Sequence, residues 1–494
     1  MILKPSITLL IILASIFSFP VKIHAQNAFP RIEPEPKALD YYHLGVQSGY
    51  SWTALAEISL WASGDADFSG MDKIKTTVSA LNSAINPDFS EKEKAEFILN
   101  YMHKNILKNY YLYQTRLDTL VSNGRYNCVS SAVFYTILCK SAGLNTSGVM
   151  TKDHAFAMVH INGQNFDVET TNQYGFDPGN RKEFHDSSGK TTGFAYVPPQ
   201  NYRDRQIISQ IELVSLILNN RVGDYERANN FSASVPLAVD RAALLLGNSY
   251  TKTTETSTSD FLFTDPRKDL MDRLLNYGAS LLRSNKEEDG IRWAVFASSI
   301  YPDARWQEFF SAAINNRISK YIKEKKTQDA HNFLENQKSF ISEADYVQFD
   351  MLIVDADLFN RANNFKTLDE GNEVITAIEK ARANGRLSEK RASELLTYTI
   401  QKTAISLCAP PGKDWRAAIR YLENAISKYG PNRELEQALR TYKANLIADY
   451  HNRFAAEWNK KNYAEAERIL NEGLVEFPND KQLLSDKQTI AKNR

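Results

Sequence analysis

Cysteine is scarce in this chain, with three residues in 494. So few exclude a disulfide-stapled scaffold and any multi-cysteine zinc module. Glycine and proline are low too, at 21 and 16 residues. Together they make up about 7% of the chain against roughly 12% in average usage, which favours helix over short-stranded β architecture. No sign of charge dominates, since 59 basic residues meet 59 acidic ones. The electrostatic footprint that nucleic-acid binding needs is therefore missing. What is present is ordinary globular material, 43% hydrophobic and 24% charged, with room for two to four domains at roughly 100–200 residues each.

The N-terminus reads as a targeting segment. Lys4 supplies a basic flank, Ile7 to Phe19 is apolar, and His24-Ala25 precedes Gln26 as a small-residue cleavage site. The apolar run is too short to span a bilayer, so a cleaved secretory signal over 1–25 is expected. No cysteine follows it that would take a lipid. Removing it takes away Lys4 and Lys22 and no acid, which leaves a net charge of −2. No later stretch reaches the ~18–20 apolar residues of a membrane span. The expectation is a secreted or periplasmic protein.

Beyond the signal the chain divides into a small mixed domain, 26–205, and a helical array, 206–494. In the first, Ser90 and Glu93 form a capping box that opens a helix over roughly 91–108, with Phe97, Ile98, Met102 and Ile106 on one face. The chain breaks at Gly124, and an apolar helix runs from Cys128 to Ala142 until Gly143 stops it. Strand-like runs 154–161 and 164–170 flank Asn162-Gly163, the strongest short-range hairpin signal. A Pro/Gly/Asn-rich stretch, 172–205, closes the domain. In the array, Tyr225-x-x-Ala228, Trp415-x-x-Ala418 and Tyr463-x-x-Ala466 recur. The last two are followed by Leu422 and Ala425, or Leu470 and Gly473, and are closed by Pro431 and Pro478. That spacing resembles the second helix of a tetratricopeptide repeat, irregularly spaced, and the stripes themselves are core packing. Thr251 to Ser259 is expected to be a loop.

One constellation carries chemistry. A thiol at Cys128 would face the positive end of a helix dipole and unpaired backbone N–H groups. Both favour the thiolate, the form that attacks carbonyls, and the same N–H groups can hold an oxyanion. A thiolate nucleophile needs a base, and the base needs an orienting partner. If Asn162-Gly163 is a two-residue turn, paired positions sum to 325. Glu169 then faces Phe156, Thr171 faces His154, and Glu169 is the diagonal neighbour of His154 on one sheet face. Asp167 faces Met158, roughly 13 Å from His154 along the strands at ~3.3 Å per residue. Glu169 is thus the first choice of acid, and Asp167 is the reserve should a bulge shift the register. Tyr126 and Asn127, just ahead of Cys128, either shape an oxyanion or substrate site or simply form the turn.

Gly124-Arg125-Tyr126-Asn127-Cys128-Val129-Ser130-Ser131-Ala132, then Asp153-His154-Ala155-Phe156, then Phe166-Asp167-Val168-Glu169-Thr170-Thr171 resemble the core of the transglutaminase-like superfamily of cysteine enzymes. The segment is more similar to a bacterial branch than to the animal cross-linking enzymes. The resemblance covers roughly residues 90–200 and places Cys128, His154 and Glu169 at the family's cysteine, histidine and acid positions. Glu169-Thr170 stands where the family usually shows Asp-Pro. The resemblance implies an α+β fold with a transglutaminase-like (papain-like) core, and the repeat spacing adds an all-α array of tetratricopeptide type after it. It implies acyl transfer or hydrolysis at an amide or peptide bond, with no cofactor. A peptide or protein would be the substrate, and the repeats would hold a protein partner. The alternative is a catalytically inactive scaffold of the same build.

Other candidates carry less. His160 has no third ligand at a metal-site spacing, so no metal is expected. Cys139 lies roughly 16 Å from Cys128 along the helix at 1.5 Å per residue, too far for a disulfide, and reads as core. Cys408 has no partner to assign, and His43, His103, His185, His331 and His451 form no pattern.

Overall fold

In a computed structural model, residues 29–187, 190, 192–193, 205–252, 265–408 and 414–492 are described. The expected signal segment lies outside them, as do most of the expected 251–259 loop and the greater part of 188–204. The chain is mostly helical with a small sheet. It separates into two compact units, one ending at Phe309 and one beginning at Phe310.

The first unit is organised around the helix Cys128–Ser141, in which twelve residues from Cys128 to Cys139 are buried. A helix apolar on all sides has to lie inside a core. Its start is set by Asn127, whose side chain accepts from the Ser130 N–H at 3.0 Å, while the Asn127 N–H donates to Ser130 Oγ at 2.9 Å. Such a cap contributes about 1 kcal/mol. Its end is a Schellman turn: Gly143 has φ +82°, its N–H donates to the Lys140 carbonyl, and the Leu144 N–H donates to that of Cys139. The Ser90–Glu93 capping box forms as well, at the head of helix Glu91–Asn105, which stops short of the expected 108.

Among the described residues, six strands accompany these helices: β1 (Asn109–Tyr110), β2 (Arg125–Tyr126), β3 (Asn145–Met150), β4 (Ala155–Ile161), β5 (Gln164–Val168) and β6 (Gln206–Ile208). Strands β1 and β2 pair in parallel, with Tyr110 opposite Tyr126. The other four form an antiparallel sheet in the order β5-β4-β3-β6. Asn162 and Gly163 have φ +49° and +77°, as a tight hairpin turn of this chirality requires. The ladder runs from Ile161↔Gln164 to Ala157↔Val168, every pair summing to 325. It ends there. Val168 bridges Phe176, and the Glu169 N–H donates to the Gly175 carbonyl at 2.8 Å. The expected pairs Glu169 with Phe156 and Thr171 with His154 therefore do not form. The chain leaves β4 and closes its own turn instead.

One sheet face, with Met150, Ala155, Ala157, Val159 and Val168, joins the core around Cys128–Ser141, whereas Val149, Phe156 and Met158 form a separate small cluster. Helix Gln210–Arg227 packs on Trp52–Ser63, Cys128–Ser141 and β3, and Phe231–Leu246 packs on it in turn. The boundary read at 205/206 thus lies inside the first unit. Tyr225-x-x-Ala228 falls at the C-terminal end of a helix, whereas Trp415 and Tyr463 each begin one. In the second unit each helix from Thr327–Gln337 onward packs on the next. Alternate helices (Glu343–Asn364, Glu389–Leu407, Arg433–Asn459 and Lys481–Lys492) also touch in sequence. Helices Trp415–Tyr429 and Tyr463–Glu476 end before Pro431 and Pro478, and Leu422, Ala466 and Leu470 are buried. Among the described residues, no helix is long and apolar enough to cross a membrane.

Candidate active site

Cys128 is the first residue of its helix, where the N–H groups of the first turn have no helical acceptor. Its side chain is buried, at 8% exposure. His154 directly precedes β4, and its Nε2 lies 2.6 Å from Glu169 Oε2. A carboxylate oxygen can only accept, so Nε2 carries the proton. Cys128 is also among the groups whose influence raises the His154 pKa. With Nε2 held by Glu169, Nδ1 is the other ring nitrogen, and it is buried.

Glu169 is fixed in turn. Its Oε1 accepts from Thr171 Oγ1 at 2.6 Å and from the Thr171 N–H at 3.2 Å. Burial alone would push its carboxyl up, but His154 and the Thr171 donors outweigh it and hold the pKa below 4.5. Burial likewise opposes charge on His154, and Glu169 and Cys128 outweigh it, holding the imidazole well above 6.5. The two shifts agree on a charged pair inside the protein.

Asp167 is turned to another task. Both of its oxygens accept from Arg205, Nη2 at 2.6 Å and Nη1 at 2.8 Å, and that guanidinium lies over the Phe156 ring. A bidentate buried pair of this kind is structural in character. Of the two acids considered, Glu169 is the one that meets His154.

Asn127 is likewise occupied. Its Oδ1 caps the helix and its Nδ2 donates to the Leu112 carbonyl at 3.2 Å. Tyr126 is buried on β2 against Tyr110, ring centroids 5.8 Å apart and edge to face. Burial first, and Glu169 second, push its hydroxyl up to about 12.

A scan against protein-family models finds no match to this chain, and a search of the curated proteins finds none. The residues around Cys128 therefore speak through their own chemistry.

Several of these the sequence did not single out. His103 Nε2 donates to the Thr170 carbonyl at 3.1 Å, and burial lowers its pKa to about 4, so the ring is neutral. Ser131, one turn beyond Cys128, is 2.8 Å from the Thr170 hydroxyl. Thr170 is thus tied on both sides, and it lies between Glu169 and Thr171. Gly175 closes the loop. A Cβ there would stand 2.0 Å from the Glu169 carbonyl oxygen. Of these, only Thr170 and Thr171 carried a signal, being hydroxyls beside a candidate acid. His103 is distant in sequence and sits on a different helix.

His160 bonds Asn165 and Ser147, at 2.7 and 2.9 Å. Among the described residues no group of three or more His, Cys, Asp or Glu could hold a metal ion. Cys139 is fully buried, which pushes its thiol up. Cys408 lies at the end of a helix in the second unit, partly exposed.

Proposed function

We propose that this protein is an exported cysteine enzyme of the transglutaminase-like type, acting by acyl transfer or hydrolysis at amide or peptide bonds. The observation that carries the reading is the buried chain from His154 through Glu169 to Thr171, in a unit where Cys128 opens a buried helix and is among the groups that raise the His154 pKa. Cys128 attacks the carbonyl carbon. His154 holds the thiol's proton as an imidazolium and passes it to the leaving amine. Glu169 keeps Nε2 protonated and stabilises the charge on the ring. Water or a second amine then resolves the thioester, with His154 acting as base. A peptide substrate is supported by the run Tyr111, Leu112 and Tyr113, which directly follows Tyr110 and stays 47%, 47% and 62% exposed. The helices of the second unit, read as tetratricopeptide-like, would hold a protein partner.

A non-catalytic scaffold is the second reading, favoured by the burial of Cys128. The Cys128→Ala variant separates the two. Turnover of an electrophilic peptide panel disappears if the protein is an enzyme, while partner capture by the second unit persists. A scaffold would show no turnover to lose.

A further inference from the structure

The thioester chemistry proposed above needs a donor for the oxyanion, and the side chain that would be the obvious one is taken. Asn127 spends its amide on the Leu112 carbonyl and on its own helix. Helix N–H groups remain at Cys128, and a second donor has to come from elsewhere.

Tyr110 is placed for it. The β1–β2 pairing sets Tyr110 opposite Tyr126, two residues ahead of Cys128. This register is reinforced by the Tyr111 N–H donating to the Tyr126 carbonyl at 2.8 Å. The Tyr110 ring packs against the core cluster that contains Tyr126, Cys128 and Val129. Its hydroxyl is buried and has no hydrogen-bond partner among the described residues. A buried hydroxyl left unpaired costs about 1–3 kcal/mol, so its persistence calls for an occupant. Burial first, and charge on Cys128 second, push its pKa upward, with Glu169 and Tyr126 adding to the effect. A tyrosine in that state keeps its proton and can only offer it as a hydrogen bond.

We infer that Tyr110 is the side-chain oxyanion donor of this site, acting with the backbone N–H at Cys128; the inference rests on the cysteine-enzyme reading. As the Sγ–carbon bond forms, the carbonyl π pair moves onto oxygen, and the Tyr110 hydroxyl donates to that oxygen without transferring its proton. The pair then returns, the carbon–nitrogen bond breaks, and the imidazolium of His154 protonates the leaving amine. Tyr126, edge-on to Tyr110, holds the ring at its angle.

The test compares two reactions of Cys128 in the full-length protein and in Tyr110→Phe, read by mass spectrometry of the modified cysteine. Iodoacetamide alkylates a thiolate with no oxyanion, whereas p-nitrophenyl acetate acetylates it through a tetrahedral intermediate. The expected result is unchanged alkylation and acetylation slowed by about 10²-fold, the scale for removing one oxyanion donor. Acetylation at the parental rate would overturn the assignment while leaving the cysteine enzyme intact. So would a parallel loss of both reactions, because Tyr110 would then be supporting the thiol or the fold. If Cys128 of the parent reacts with neither reagent, the cysteine-enzyme reading itself fails and the donor assignment goes with it.

Discussion

Glu169 Oε2 lies 2.6 Å from His154 Nε2, while Asp167, two residues earlier, gives both its oxygens to Arg205. Two acids on one short segment therefore have different work. In Glu169→Gln the amide can present an N–H to Nε2, which would force the proton onto Nδ1 and remove the base facing Cys128. Turnover is expected to fall on the order of 10⁴-fold with little change in substrate affinity. In Asp167→Asn the Arg205 charge stays buried and loses half its partner, so folding stability should drop by about 3–5 kcal/mol. Whatever protein remains folded should keep its turnover per molecule. Steady-state kinetics paired with urea unfolding checks both. Equal catalytic losses in the two variants would contradict the division of roles.

Gly175 controls the position of Glu169 through the backbone. An added methyl would lie 2.0 Å from the Glu169 carbonyl oxygen and 2.9 Å from that of Asn172, and neither atom is a flexible side-chain end. Gly175→Ala should therefore displace the 169–175 turn and cut acylation of Cys128 by at least about tenfold, as small misplacements of catalytic groups do. The helical circular dichroism should be unchanged. Parental acylation would show that the turn relaxes elsewhere.

The His154–Glu169 pair also predicts a pH window for stability. Glu169 has its pKa lowered from 4.5, so its contribution is complete above 4.5 and fades as pH falls through the lowered value. His154 has its pKa raised from 6.5, so its contribution is complete below 6.5 and fades as pH rises through the raised value. The stability difference between the parent and Glu169→Gln should thus be largest between pH 4.5 and 6.5. Urea midpoints across pH 3 to 10 test it. A difference that keeps growing above that window would contradict the charged pair.

His103 has the opposite sign. Its pKa falls from 6.5 in the unfolded chain to about 4 in the folded one. The unfolded chain takes up the proton first, and stability drops as pH falls through that interval, by about 3 kcal/mol in total. His103→Gln keeps an N–H for the Thr170 carbonyl but does not titrate. Its unfolding midpoint should change less between pH 6.5 and 4 than the parent's. An identical pH slope in both proteins would remove His103 from the account.

Local signals in the sequence carried further than long-range ones. The Ser90–Glu93 box, the Gly143 stop, the Asn162-Gly163 turn and the pairing sum of 325 are all present in the fold. Each depends on residues within a few positions of one another. The ladder's early end at Val168 was not legible, because it depends on Phe176 and Gly175 closing a loop back onto β5. Glu169 still reaches His154, because it lies just outside β5 and its backbone turns onto Gly175 instead of pairing with β4. His103 and Arg205 were invisible for the same reason: each touches this region across a long stretch of chain. The extent of the first unit was also hidden. Helix Gln210–Arg227 has the periodicity of any helix, and only its packing on β3 and Cys128–Ser141 assigns it there.

The most direct measurement is the rate of iodoacetamide alkylation at each cysteine of the full-length protein near neutral pH, resolved by peptide mass spectrometry. Cys408 is the more exposed control, and its thiol is pushed up by burial, while Cys139 is fully buried and pushed up further. The cysteine-enzyme reading predicts that Cys128 is labelled first, despite its 8% exposure, and that His154→Ala abolishes the advantage. Labelling of Cys128 no faster than that of Cys408 would contradict the central claim.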